Sequence, residues 1–138
     1  MNTKEKGELV EARTIAKLSE FSIDIFLPFG ENTRADMIIS SNNGLERIQI
    51  KGGWIKDGSV RFNCSKVNSN TTGSTRSTYD GDVEAFIIHC PENNGYYHVP
   101  IEKANSATMW LRIDESMGDN GKVKWAKDFQ LSDKYSSL

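Results

Sequence analysis

Three polar residues near one another in the sequence, Asp36, Gln49 and Lys51, are the side chains best suited to chemistry. A carboxylate can hold a divalent cation such as Mg²⁺, and a neighbouring oxygen can share the ion. A lysine ammonium can orient or activate an attacking water and offset the charge of a phosphate. Held together, the three groups would suit the hydrolysis of a phosphodiester bond.

Residues 36–51 predict the β-hairpin that would bring these groups together. Two runs rich in isoleucine flank residues 41–44, whose Asn and Gly residues tolerate the positive φ angles of a tight turn. With the turn centred between residues 42 and 43, Asp36 lies opposite Gln49, and Lys51 points to the same face as Gln49. The other face is apolar and suits a core: Ala35, Met37, Ile39, Ile48 and Ile50. The alternative is that the polar face is simply the solvated side of the hairpin.

Residues 3–20 predict an amphipathic helix that could add a second acid. Glu8, Glu11, Ile15 and Leu18 recur at steps of three and four. Glu11 shares a stripe with Ile15 and Leu18, so its carboxylate would need a partner in the folded protein. Glu8 is the second choice, and an ordinary surface acid is the alternative for both.

The remaining pattern predicts an α/β fold with a mixed central β-sheet flanked by helices. Further strands are expected at residues 23–27, 59–63, 85–90, 96–99 and 108–113, and a short helix at residues 100–107. Residues 63–78 contain eleven Ser, Thr or Asn residues among sixteen. Because no apolar face can be drawn there, the segment is expected to be a long loop, either a functional one or a mobile surface loop.

Length and composition predict one domain that spans residues 1–138, with 37% apolar residues to form its core. The sequence has no apolar run long enough to cross a membrane, and its first residues lack the apolar region of a signal peptide. We therefore expect a cytoplasmic protein. Cys64 and Cys90 fit no metal-binding spacing and are expected to be reduced packing residues.

The charge is distributed unevenly, although the formal net charge is only −2. Between residues 47 and 76 there are six basic residues and one acid, Asp57, which gives this segment +5. A basic stripe favours docking on a phosphate backbone and leaves acids elsewhere for a metal. We therefore predict that Arg61, Lys66 and Arg76 contact DNA.

The order of these residues resembles the PD-(D/E)XK nuclease superfamily: Glu11 in a first helix, Asp36 opening a strand, and Gln49 and Lys51 in the next strand. Residues 79–86, 97–100 and 111–113 resemble the small family of these nucleases that includes the homing endonuclease encoded in bacterial group I introns. The resemblance covers about residues 6–113.

Two positions depart from the superfamily pattern. Ala35 stands where the motif's name has proline, which is tolerated because only Asp36 bears charge. Gln49 stands where most members have Asp or Glu, and a neutral amide is a poorer Mg²⁺ ligand. Glu11 is therefore expected to join Asp36 and the carbonyl of Ile50 at the metal. If Glu11 does not make up for the missing acid at position 49, the site would be catalytically inactive.

The resemblance implies a restriction-endonuclease-like core and a DNA endonuclease dependent on Mg²⁺ or another divalent cation. It implies that Asp36 binds the metal, Lys51 positions the water or contacts the scissile phosphate, Gln49 orients metal or water, and Glu11 completes the metal's ligands. It further implies site-specific double-strand breaks at a long target in double-stranded DNA, as in intron homing. Such cleavage calls for a homo-oligomer, a dimer at least, and the resemblance suggests a tetramer.

Three other functions remain open from the sequence. A Holliday-junction resolvase or a restriction-type nuclease would use the same fold on another substrate. A catalytically silent DNA-binding module is favoured by Gln49 and by the polar segment at residues 63–78. A plain interaction domain would show no salt-dependent affinity for DNA.

Overall fold

The computed structural model describes residues 1–70, 73–105 and 107–138, without the side chains of residues 67–70 and 74–76. Its helices are α1 (Thr3–Leu18) and α2 (Leu131–Lys134), with 3-10 turns at Ile101–Lys103, Glu115–Met117 and Ala126–Phe129. Its strands are β1 (Asp24–Phe26), β2 (Met37–Ser41), β3 (Gly44–Gly52), β4 (Trp54–Lys56), β5 (Ser59–Asn63), β6 (Ser65–Asn70), β7 (Gly73–Thr78), β8 (Ala85–Cys90), β9 (Gly95–Pro100) and β10 (Thr108–Arg112).

A five-stranded mixed sheet in the order β1-β2-β3-β8-β9 forms the centre of the fold. Strands β3 and β8 run parallel, and the other neighbours run antiparallel. A second sheet in the order β10-β5-β4 is entirely antiparallel. The predicted mixed α/β class is therefore confirmed, although a second sheet, rather than a helix, covers one face of the central sheet.

The two faces of the central sheet are buried against different elements. On one face, Ile48 and Ile87 pack with α1 and α2 in a cluster that includes Leu18 and Leu131. The opposite face packs against the second sheet through a cluster that contains Val60, Phe62, Phe86, Ile88, Met109 and Leu111. Strand β8 contributes alternate residues to both clusters, as expected for a strand buried on both sides.

The β2–β3 hairpin forms with the register that the sequence predicts. Met37 pairs with Ile48 and Ser41 pairs with Gly44, whose φ of 96° is one that glycine adopts readily. Met37 and Ile48 are almost fully buried, as predicted. Ala35 was expected on the same apolar face but packs with the opposite cluster, because β2 begins only at Met37 and the alternation does not reach it.

Residues 65–70 and 73–78 form strands, contrary to the prediction of a loop at residues 63–78. Strands β6 and β7 form an antiparallel two-stranded sheet, from the pair Ser65–Thr78 to the pair Asn70–Gly73. A ribbon outside the two larger sheets needs no apolar face, so its strands leave no alternation in the sequence. The β-branched threonines that make the segment appear loop-like also favour extended backbone.

The helix predicted at residues 100–107 is a single 3-10 turn at Ile101–Lys103. Beyond it, Ala104 is extended, and the Asn105 side chain accepts a hydrogen bond from the N–H of Ala107 at 2.9 Å. Such local side-chain bonds compete with helical hydrogen bonding and turn the chain toward β10. None of the helices formed by the described residues is long and apolar enough to span a membrane.

The burial in the β2–β3 hairpin predicts unequal effects of two similar truncations. Ile48→Ala removes a fully buried side chain and should lower the free energy of unfolding by about 3 kcal/mol. Leu45→Ala in the same strand should change it by less than about 0.5 kcal/mol, because Leu45 is 68% exposed. Urea unfolding of both variants measures the difference, and equal losses would contradict the placement of β3.

Candidate active site

Asp36 is fixed to strand β3 by two hydrogen bonds just before β2 begins. Its N–H donates to the carbonyl of Ile48 at 2.9 Å, and its Oδ2 accepts from the N–H of Ile50 at 2.8 Å. These bonds reach the residues on either side of Gln49. The carboxylate of Asp36 therefore lies against the β3 backbone at Ile50. Its predicted position opposite Gln49 lies beyond the strand pairing, which begins with Met37 and Ile48.

Gln49 and Lys51 are half-buried on the face of β3 opposite to Ile48 and Ile50. The Nζ of Lys51 donates a hydrogen bond of 3.0 Å to the hydroxyl of Tyr79 and lies 4.7 Å from the centre of its ring. The polar face of the hairpin is therefore not a freely solvated surface. Its lysine is held against a buried aromatic ring.

A cleft of about 530 Å³ opens beside Asp36. The first turns of α1 line one side, and Ile50, Gly52 and Asp36 line the other. Glu11 also lines this cleft, from an exposed position on α1. The prediction that Glu11 lies on the inward stripe is wrong, because the buried residues of α1 are Val10, Thr14 and Leu18. Glu11 flanks that stripe and faces the cleft instead.

Both carboxyl groups are harder to ionise than ordinary acids. Burial raises the pKa of Asp36, against the opposing effects of the Ile50 N–H and the Lys51 charge. Burial also raises the pKa of Glu11, and the negative charges of Asp36 and Glu8 raise it further. A cation bound between Asp36 and Glu11 would relieve this repulsion and restore both carboxylates.

The donor set suits a hard divalent cation that keeps part of its water. Within the described part of the chain, no group of three or more His, Cys, Asp or Glu residues could hold a metal ion. A metal in this cleft would depend on the carboxylates of Asp36 and Glu11, the carbonyl of Ile50 and water, because Gln49 and Lys51 do not line the cleft. All of these are oxygen donors, and Mg²⁺ is commonly bound through one or two carboxylates while retaining several waters.

The three predicted DNA contacts have different surroundings. Arg61 alternates with the core residues of β5 and stacks on Trp110, with 3.8 Å between its guanidinium carbon and the ring centre. Lys66 forms an ion pair with Asp82 and lies 4.8 Å from the centre of the Tyr79 ring. Arg76 belongs to β7, but its side chain lies outside the described residues. Of the two that can be placed, only Lys66 shares a neighbour with Lys51.

Tyr79 is the residue near the site that sequence reasoning missed. It contacts Lys51 across 28 positions of the sequence and belongs to no regular strand or helix. Periodicity cannot reveal such a contact, since it depends on how the chain returns to the sheet after β7. The available signals were its place at the end of a long polar segment and at the start of residues 79–86, which carry part of the family resemblance.

Comparison with known proteins identifies the family to which this chain belongs. The family model for PD-(D/E)XK endonucleases matches residues 1–132, so the chain belongs to the PD-(D/E)XK endonuclease family. It is similar in structure to the bacterial homing endonuclease I-Ssp6803I, with a TM-score of 0.77 and 17% sequence identity over 94% of this chain and 89% of that one. No curated protein sequence matches the chain significantly. The family and fold that the resemblance implied are confirmed.

The raised pKa of Asp36 predicts that its charge destabilises the metal-free protein at neutral pH. A carboxyl whose pKa is raised by folding contributes stability at low pH and loses it as the pH rises through the raised value. Asp36→Asn, which keeps an oxygen acceptor for the Ile50 N–H, should therefore raise the free energy of unfolding at pH 7.5 in EDTA. The gain should shrink as the pH falls toward the ordinary pKa of aspartate.

Urea unfolding between pH 7.5 and pH 4.5 measures this effect. Asp24→Asn is the matched control, because Asp24 is exposed on β1 and its replacement should change little. A variant Asp36→Asn that is less stable than wild type at pH 7.5 would contradict the prediction.

Proposed function

We propose that this protein is a metal-dependent DNA endonuclease that makes double-strand breaks at a long specific target, as an intron-homing enzyme does. The observation that carries the proposal is the desolvated carboxylate of Asp36, hydrogen-bonded to the N–H of Ile50 and within the electrostatic reach of Lys51. Membership of the PD-(D/E)XK endonuclease family supports the nuclease, and the likeness to a bacterial homing endonuclease supports the homing role.

The residues divide into those that hold a metal and those that act on the phosphate. Asp36, Glu11 and the carbonyl of Ile50 would hold Mg²⁺ or another divalent cation. When bound, such an ion supplies Lewis-acid stabilisation of the charge that develops on the phosphate. The amide of Gln49 orients the attacking water or the metal, and being neutral it adds no further repulsion to the two carboxylates.

Lys51 would supply positive charge to the reacting phosphate. Its ammonium lowers the pKa of Asp36, so the two groups interact electrostatically across the polar end of β3. A fixed ammonium stabilises negative charge on the scissile phosphate and can orient the water for attack. It does so without the reorganisation that solvent water would need.

Cutting both strands requires more than one copy of this site. One chain offers one set of Asp36, Gln49 and Lys51, and one such set cuts one strand. We therefore propose a homo-oligomer, at least a dimer, and a tetramer where a long target must be read by a chain of 138 residues. The polar ribbon β6–β7 is suited to this reading, because a two-stranded ribbon fits the major groove.

Gln49 is the specific observation that favours a second function. Where most family members have an acid, the neutral amide reduces the charge available to hold a metal. If Glu11 does not compensate, the protein is a DNA-binding module without cleavage. A Holliday-junction resolvase or a restriction-type nuclease would share the site and differ in its substrate.

The first experiment is cleavage of a DNA library by wild type and by Asp36→Asn, with Mg²⁺ and with EDTA. Wild type with Mg²⁺ should cut one long sequence, leaving 3′-hydroxyl and 5′-phosphate ends. Asp36→Asn should lose more than about 100-fold of the rate, the scale expected when a charge-stabilising group is removed from a reacting centre. Asp24→Asn, which changes an exposed acid on β1, should cut normally.

Each other outcome selects an alternative. Cutting confined to branched DNA would identify a resolvase, and cutting at many short sites would identify a restriction-type nuclease. DNA bound but not cut under any condition would show that Gln49 marks a silent site. No salt-dependent affinity for DNA at all would leave only an interaction domain.

The basic residues predict a measurable salt dependence of DNA binding. Arg61→Ala, Lys66→Ala and Arg76→Ala should each weaken binding and reduce the slope of log affinity against log salt by about one, since each removes one phosphate contact. Fluorescence anisotropy at several salt concentrations measures both quantities. Lys17→Ala is the control, because Lys17 lies in the last turn of α1, outside the basic segment at residues 47–76. Unchanged affinities and slopes in the three variants would remove these residues from the DNA interface.

A further inference from the structure

Tyr79 lies in the segment between β7 and β8 and is held there by its own backbone. Its carbonyl accepts hydrogen bonds from the N–H groups of Asp82 at 2.9 Å and Val83 at 3.3 Å. The residue is only 7% exposed. These two hydrogen bonds close a turn that begins at Tyr79. The turn fixes the position of the Tyr79 backbone, from which the side chain extends.

The ring of Tyr79 is also fixed relative to β3. It meets the ring of Phe86 edge to face, with 5.3 Å between centres and an interplanar angle of 88°. Phe86 is the partner of Gln49 in the β3–β8 ladder. Because aromatic pairs of this geometry are specific in orientation, the phenol keeps a defined position beside the polar residues of β3.

The hydroxyl of Tyr79 is directed at Lys51, from which it accepts a hydrogen bond of 3.0 Å. A lysine side chain has four rotatable bonds and loses considerable entropy when it is fixed in one place. The second lysine at this ring, Lys66, is already paired with Asp82. The hydroxyl of Tyr79 therefore acts as the acceptor for Lys51. If the ring were needed only for packing, phenylalanine would be sufficient.

We propose that Tyr79 is a positioning residue for cleavage: its hydroxyl holds the Lys51 ammonium where that group meets the scissile phosphate. This inference rests on the proposed function, since it assigns Tyr79 to the reaction through Lys51. Tyr79 itself does not touch the reacting atoms. Removal of the Tyr79 hydroxyl should slow the chemical step and leave the affinity for DNA unchanged.

The test replaces Tyr79 by phenylalanine, which keeps the ring against Phe86 and removes only the hydroxyl. The matched control is Tyr97→Phe. Tyr97 is 2% exposed in the same core cluster, and its hydroxyl accepts from the amide of Asn93 at 2.9 Å instead of from a lysine. Urea unfolding first establishes that both variants are folded.

Tyr79→Phe should lower the single-turnover rate of cleavage with Mg²⁺ by about tenfold, since a misplaced group at a reacting centre loses rate steeply. Its affinity for the same DNA, measured with Ca²⁺ in place of Mg²⁺, should stay within twofold of wild type. Tyr97→Phe should match wild type in both measurements. A rate of Tyr79→Phe within twofold of wild type, or a loss confined to affinity, would overturn the proposal.

A second measurement separates this inference from the proposed function. Reductive methylation with ¹³C-formaldehyde labels the lysines, and Lys51→Arg identifies the Lys51 signal in the NMR spectrum. Tyr79→Phe should shift that signal and Tyr97→Phe should not; an unshifted signal overturns the contact and the proposal. A wild type that cuts no DNA refutes the proposed function and, with it, the role in cleavage, whatever the NMR signal shows.

Discussion

The site depends on one hydrogen bond, from the backbone N–H of Ile50 to the carboxylate of Asp36. Strand β3 extends beyond the start of its partner β2, and the Ile50 N–H at that point would otherwise lack a strand carbonyl. A buried backbone donor needs an acceptor, and the carboxylate of Asp36 supplies one. The same bond fixes the carboxylate beside the cleft that α1 and β3 line. The Asp36 carboxylate therefore contributes both to the stability of the fold and to the geometry of the site, because this bond fixes it to strand β3.

The surroundings of Asp36 disfavour the ionised form of its carboxyl group. Burial raises the pKa of Asp36, and the nearby Asp36 charge raises the pKa of Glu11 in turn. The electrostatic repulsion between the two carboxylates lowers the stability of the metal-free protein. Such a loss of stability in favour of function is common at active sites. The sheet supplies the needed rigidity, because β3 has strands on both sides and is buried against α1 through Ile48.

How much the sequence could predict follows from the kind of signal each element leaves. The β2–β3 hairpin was predictable because a period of two and a glycine turn coincide, and Met37 and Ile48 must then share a face. The ribbon β6–β7 was not, because a strand pair without an apolar face has no alternation. Glu11 was placed on the wrong stripe because steps of three and four fit two adjacent helix faces, and Val10 with Leu18 formed the buried one. Asp36 and Lys51 could be paired through a local register, whereas Tyr79 reaches Lys51 only through tertiary folding.

Gln49 changes the charge balance of the site as well as the number of good oxygen ligands. A third acid at this position would set three carboxylates against one ammonium, and its repulsion would raise the pKa of Asp36 beyond what burial already does. The neutral amide leaves two carboxylates, Asp36 and Glu11, against the charge of Lys51. That combination carries one net negative charge, enough to attract a divalent cation, and it keeps Asp36 closer to the ionised state in which it can bind one. Glu11, on the exposed flank of α1, contributes its charge at a smaller desolvation cost than a half-buried strand position would impose.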